Sequence, residues 1–221
     1  MTGLPNARLY AYWRSSASWR VRIALNLKQI PFAIVPVHLV RNGGEQKSAE
    51  NRERNPMAQV PTLEWDEPGG QTRRLTQSLA IVQLVDALCP GPALIPNDPF
   101  VRARAWEIAE IVNSGIQPLQ NTGTLAAVRE LGGDPAKFAH DAIEKGLHAL
   151  ERLVASSDTS FCVGETPCVA DLCVVPQLYN ARRFSVDLAP FPRLVAIDAA
   201  CAQLSAFELS HPDVQPDAEP S

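Results

Sequence analysis

Apolar and polar positions follow two different rhythms along the first third of the chain. Residues 8–13 (Arg-Leu-Tyr-Ala-Tyr-Trp) form a short apolar run that predicts a strand. Ser18 to Lys28 is rich in Arg, Ala and Leu and predicts a helix, with Ser15 and Ser16 placed to cap it. Phe32 to Leu39 is rich in β-branched residues and reads as a second strand despite Pro31 and Pro36. Gly43-Gly44 breaks it, and a polar, charged stretch follows to Asn55. Val60 to Trp65 is a third strand, Pro68-Gly69-Gly70 a hairpin signal, and Arg73-Arg74-Leu75 a short edge strand. Ser78 to Leu88 then carries apolar residues at Leu79, Ile81, Val82, Leu84 and Val85, a helical spacing.

Beyond Leu88 the pattern changes. Pro90, Pro92, Pro96 and Pro99 punctuate a linker over 89–97. Past it the strand signals fade, and Val101–Val112, Lys137–Val154 and Leu194–Leu209 read as amphipathic helices. Asp171 to Phe184 is apolar along much of its length, which predicts a buried central helix. The acidic, Pro-rich stretch 212–221 is expected to fray. The pattern therefore predicts a βαβ-ββα domain over 1–88 and an all-helical domain over 98–211.

Composition narrows the class. In 221 residues, 46% are hydrophobic and 20% charged, enough for a proper core. The net charge of −4 gives no general attraction to nucleic acid or anionic lipid, so anionic ligands must be met by local Arg placement. No apolar stretch approaches the ~20 residues a membrane span needs, and no secretory signal opens the chain, so the cytoplasm is the expected compartment. The five cysteines are scattered and odd in number, without a C-x-x-C pair. They suggest neither a disulfide framework nor a metal centre.

The informative run is Arg14-Ser15-Ser16-Ala17-Ser18-Trp19-Arg20-Val21-Arg22-Ile23-Ala24-Leu25, where a strand ends in hydroxyls just as a helix begins. A helix N-terminus favours an anion, and a Ser hydroxyl there can donate to a thiolate and lower the thiol pKa. The same serines serve equally as plain N-caps. Val60-Pro61 opens a strand where a cis bond would turn main-chain groups outward to pair with an extended peptide. Gln77-Ser78 starts a second helix with a hydroxyl, suited to a carboxylate. Glutathione, an extended tripeptide with a thiol and two carboxylates, matches that set.

These segments together resemble the glutathione transferases, whose fold joins a thioredoxin-like βαβ-ββα domain to a helical one. The run around Ser15 resembles the zeta class more narrowly. So do Asn55-Pro56-Met57-x-Gln59-Val60-Pro61-Thr62-Leu63, Gln77-Ser78-Leu79-Ala80-Ile81, Gly115-Ile116-Gln117-Pro118-Leu119-Gln120-Asn121 and Ala170-Asp171-Leu172-Cys173-x-Val175-Pro176-Gln177. The resemblance implies that Ser15, assisted by Ser16, activates the thiol of a glutathione cofactor. It implies that Val60 pairs with the cysteinyl backbone, Gln77 and Ser78 bind the γ-glutamyl end, and Gln46, Gln117 and Asn121 make further contacts. Arg183, and Arg14 with it, would hold the carboxylates of a small dicarboxylic acid, for which a planar guanidinium suits better than an ammonium.

The activity implied is a glutathione-dependent cis–trans isomerisation, of maleylacetoacetate or of maleylpyruvate, with conjugation of halogenated acids and other electrophiles as a broader alternative. A homodimer is implied as well. Two positions depart from the class. Ala17 stands where some members carry Cys, which excludes a protein thiol there. Cys168 replaces the usual Thr or Ser before the buried helix, so its capping box is expected to be weakened.

Overall fold

The computed structural model describes residues 3–155 and 158–219; residues 1–2 and the last two of the expected tail, 220–221, lie outside them. The chain divides into two compact units, Met1–Leu94 with Leu204–Ser221, and Ile95–Gln203. In the first unit a four-stranded sheet runs in the order β2-β1-β3-β4, with β1 Ala7–Ala11, β2 Phe32–Pro36, β3 Thr62–Asp66 and β4 Thr72–Thr76. β1 is parallel to β2 and antiparallel to β3, so Leu9 stands opposite both Ile34 and Leu63. Ala7, Leu9 and Ala11 are buried while Arg8 and Tyr10 are half-exposed, the period-two alternation of a strand.

Two helices, α1 Ser16–Leu27 and α3 Ser78–Leu88, pack against each other. Ile23, Leu25, Ile81, Val82 and Val85 are wholly buried there. Each such side chain is worth about 1.5–3 kcal/mol relative to exposure. The pairing is also pinned electrostatically, by the buried Lys28 Nζ lying 2.8 Å from Asp86 and 3.2 Å from the Cys89 carbonyl.

α1 begins at Ser16 rather than Ser18, because Ser15 itself serves as the N-cap. The polar stretch after Gly44 contains a helix of its own, α2 Ala49–Arg54, capped by the Ser48 side chain accepting from Asn51 N–H. Its lack of an apolar stripe hid it. The tail expected to fray, 212–221, is hydrogen-bonded at Asp217 and Glu219. Residues 204–219 belong to the first unit, where α9 Ser205–Glu208 packs on α1 and Asp217 and Glu219 are bonded to side chains or backbone of that unit. Carboxylates that read as solvating in the sequence find donors in the tertiary structure.

The second unit is helical: α4 Pro99–Glu110, α5 Thr122–Glu130, α6 Pro135–Val154, α7 Val169–Arg183 and α8 Pro192–Ala202. α7 is the buried central helix, with every residue from Val169 to Leu178 inside. α4 runs on into a π-helical turn, Ile111–Ile116, and a 3-10 turn, Gln117–Gln120. Ile116 packs so closely on α6 that a Cβ at Gly146 would meet its Cδ1 at 2.2 Å. The helix expected over 194–209 is split, since α8 ends at Ala202 and α9 starts at Ser205 in the other unit.

The expected weakening at Cys168 meets a box whose reciprocal geometry is in place. Asp171 accepts from the N–H groups of Cys168 and Cys162, both at 2.8 Å. Burial pushes the Asp171 carboxyl above its ordinary range, and these hydrogen bonds oppose the shift. Burial likewise raises the thiols of Cys162, Cys168 and Cys201, with Asp171 adding to the effect. Among the described residues, no helix is long and apolar enough to cross a membrane.

Candidate active site

Ser15 sits at the point where β1 has ended and α1 begins. Its Oγ accepts from Ser18 N–H at 3.2 Å, and its own N–H donates to the Tyr12 carbonyl at 3.0 Å. A hydroxyl carries two acceptor lone pairs and one O–H donor, so accepting from Ser18 leaves the proton to donate elsewhere. The capping role and a thiolate-binding role are therefore compatible on the same atom. The first turn of α1 holds no acidic residue, so the positive end of its dipole is not neutralised from within. Ser16 is buried beside it, and the half-buried Arg14 lies over the Trp13 ring at 5.1 Å.

A second helix start lies nearby in the fold. Gln77 caps α3 with φ of +69°, a left-handed conformation unusual for a residue with a side chain. Such strain concentrates where the surrounding structure needs a backbone group aimed in one direction. Ser78 follows, and its Oγ accepts from Arg20 Nη1 at 3.3 Å. Arg20 comes from α1 and is wholly buried. It thereby ties the two helix starts together, a role that the sequence reading did not assign to it. The available signal was a pair of arginines, Arg20 and Arg22, inside an otherwise apolar helical run.

Gln46 lies on the loop between β2 and α2, only 8% exposed. Its Nε2 donates to the Leu39 carbonyl at 3.4 Å, while its buried Oε1 has no partner among the described residues. A buried acceptor left alone costs free energy, so this atom is fitted to a donor on a ligand. Gly44 makes room for that amide. Its φ is +100°, and a Cβ there would come within 2.7 Å of Gln46 Nε2.

The Val60–Pro61 bond is cis and leads directly into β3. The turn that delivers it is shaped by Asn55, another residue not singled out from the sequence. Asn55 is buried, accepts from Met57 N–H at 3.0 Å and donates to the Gln59 carbonyl at 2.9 Å.

The remaining expected residues belong to the second unit. Gln117 opens the 3-10 turn and Asn121 follows it, at the N-cap of α5 but without a side-chain capping bond. The turn is fastened to α7 by a reciprocal amide pair. Gln120 Nε2 donates to Gln177 Oε1 at 2.8 Å, and Gln177 Nε2 donates back at 3.2 Å. Arg183 closes α7, with an exposed side chain that donates to Asn180 Oδ1 at 2.9 Å and lies 5.7 Å from the Phe184 ring.

A glutathione S-transferase N-terminal domain model matches residues 14–88, the segment holding Ser15, Gln46, Val60, Gln77 and Ser78. The chain is 47% identical over 212 residues to a probable maleylacetoacetate isomerase of Drosophila melanogaster, covering 96% of this chain and 90% of that protein. A crystal structure of a maleylacetoacetate isomerase from Anaeromyxobacter dehalogenans, with dicarboxyethyl glutathione and citrate in its active site, is 45% identical with a TM-score of 0.87. It covers 97% of this chain and 94% of that one. A bacterial maleylpyruvate isomerase of the zeta class is 38% identical with a TM-score of 0.88, covering 96% of this chain and all of the other.

Proposed function

Because this chain belongs to the zeta class of the glutathione transferase family, we propose that it isomerises maleylacetoacetate to fumarylacetoacetate with glutathione as its cofactor. One observation carries the reading. Ser15 caps a helix whose first turn has no carboxylate, and its O–H remains able to donate to a thiolate. The buried, unpartnered Gln46 Oε1 beside Gly44 supports the fit to a peptide-like cofactor.

Bound glutathione supplies the thiolate whose reversible addition frees rotation about the former double bond. The chain's own residues do the rest. Ser15 holds its proton toward the sulfur, and the helix N-terminus favours the negative charge, so the thiol pKa falls. Ser16 lies alongside. Gln77 and Ser78, at the start of α3, hold a carboxylate through main-chain N–H groups and a hydroxyl. Val60 pairs with the cofactor backbone, and Gln46, Gln117 and Asn121 fix its orientation. Arg183 and Arg14 present guanidinium forks to the acid's carboxylates, which holds the reacting carbons in place.

The pathway proposed is tyrosine and phenylalanine breakdown, in the cytoplasm. The five cysteines are all free and buried, in keeping with a reducing compartment. A homodimer is proposed too. Phe100, 84% exposed on α4, lines a surface cleft of about 800 Å³ with Val101, Leu153 and Val163, an apolar surface of the kind that a partner covers.

The test is conversion of maleylacetoacetate and of maleylpyruvate, each with and without catalytic glutathione. Fast glutathione-dependent turnover of maleylacetoacetate without net loss of glutathione is the expected result. Preference for maleylpyruvate would move the assignment to gentisate breakdown, in line with the zeta-class maleylpyruvate isomerase relative. Conjugation of halogenated acids without turnover of either diacid would make the chain a detoxifying transferase.

A further inference from the structure

Asp217 and Glu219 reach two loops that the proposed function assigns to glutathione. We propose that Asp217 and Glu219 are positioning residues, Asp217 for the Ser15 turn and Glu219 for the Gln46 loop. The inference rests on that reading of Ser15 and Gln46.

Asp217 Oδ2 accepts from the Trp13 backbone N–H at 2.9 Å. The Trp13 carbonyl accepts from Arg22 Nη2 at 2.8 Å, and Arg22 Nε donates to the Ser210 carbonyl at 3.1 Å. Asn26 Nδ2 adds a 2.8 Å bond to Ser210 Oγ, which fixes the base of the segment on α1. Both main-chain polar groups of Trp13 are thus held, one by Asp217 and one by an arginine anchored to the same segment. Arg22 is almost wholly buried, and burial lowers its pKa to about 9 while Asp217 opposes the shift, so it stays cationic at neutral pH. Two residues after Trp13 comes Ser15. Its N–H is committed to Tyr12, so the direction of its hydroxyl follows the peptides just before it.

Glu219 works on the other loop. It pairs with Arg41 and lies 3.3 Å from His38 Nε2. His38 Nδ1 accepts from the N–H groups of Arg41 at 2.8 Å and Val40 at 3.2 Å, so the ring proton sits on Nε2 and points to Glu219. The His38 N–H donates to Glu45 Oε2 at 2.7 Å, and the Glu45 N–H returns a bond to the His38 carbonyl at 2.8 Å. Gln46 is the next residue. Glu219 therefore holds one end of a loop whose other end carries the unpartnered amide oxygen.

The two carboxylates act on different parts of the site, so they separate in kinetics. Asp217→Ala, Asp217→Asn and Glu219→Ala are compared with the unaltered chain for steady-state isomerisation, the thiol pKa of bound glutathione, and Tm. Asp217→Ala is expected to lower kcat by about tenfold and raise the bound thiol pKa, less than the roughly hundredfold that an ångström of misplacement can cost. Asp217→Asn keeps an acceptor for the Trp13 N–H and should recover most of that kcat. Glu219→Ala is expected to raise KM for glutathione about tenfold with kcat retained, the weaker hold on a binding loop rather than on the reacting centre. Unchanged kinetics in both alanine variants of an active enzyme would overturn the positioning roles alone. Losses that follow Tm and are not recovered by Asp217→Asn would overturn them too. An unaltered chain that shows no glutathione dependence would instead bring down the reading of Ser15, and this inference with it.

Discussion

Arg20 Nη1 lies 3.3 Å from Ser78 Oγ, so a buried guanidinium on α1 reaches the first residue of α3. The contact joins two helix N-termini, one assigned to the thiol and one to a carboxylate. Arg20→Met keeps the length and removes the charge-assisted hydrogen bond, worth about 1.5–3 kcal/mol in stability. Weaker glutathione binding should accompany the lower Tm. Calorimetric titration with glutathione checks this, and an unchanged Kd would show that Ser78 holds its place unaided.

Ser15 serves as cap and as candidate hydroxyl donor, and substitution separates the two. Ser15→Ala removes both, so it should cost about 1 kcal/mol through the lost cap. For a chain of this size that is a Tm drop of about 2–4 °C. Turnover should fall by about a hundredfold or more, the usual cost of removing a donor from a developing or resident anion. Ser15→Asp keeps an acceptor for Ser18 N–H and, when ionised, has no proton to donate, so Tm should hold while turnover falls. Full activity in Ser15→Asp would reduce Ser15 to a cap.

Gly44→Ala places a Cβ within 2.7 Å of the Gln46 amide, at a φ of +100° that disfavours any side chain. The strain is about 1–3 kcal/mol. The displaced amide should raise KM for glutathione several-fold while kcat changes little. Equal Kd values for the variant and the unaltered chain would remove Gln46 from the binding set.

Asp66 accepts from Arg8 at 3.2 Å, Asn6 at 3.0 Å and Thr72 at 3.0 Å, joining the ends of β1, β3 and β4. The Arg8 bond, followed by those of Asn6 and Thr72, holds its carboxyl below the ordinary range, while Asp66 in turn raises Arg8. A depressed acid stabilises the fold above the unfolded-state value, near pH 4, and loses that contribution as pH falls through the folded value. The Tm difference between the unaltered chain and Asp66→Asn should therefore be present at neutral pH and shrink on acidification below about pH 4. A difference independent of pH would show that shape rather than charge matters at this corner.

Much of this was legible in local pattern. Strands read from residues 8–13, 32–39, 60–65 and 73–75 all appear, since alternation and β-branching report directly on a half-buried sheet. The apolar run from Asp171 likewise reports the buried α7. α2 and α5 were missed because neither carries a strong apolar stripe.

The sequence by itself determined where hydroxyls meet helix starts, at Ser15 and Ser78, because capping and dipole effects act within one turn of chain. It also carried the motifs by which the family is recognised. Only the tertiary structure decided which polar side chains would be buried and paired. Arg20 meets Ser78 across 58 positions, and Asp217 meets Trp13 across 204. Composition marks an acidic, Pro-rich end as one that frays, because it cannot bury apolar area. Whether such a segment is ordered depends instead on donors presented by distant parts of the chain, and those exist only once the sheet and helices have brought them together.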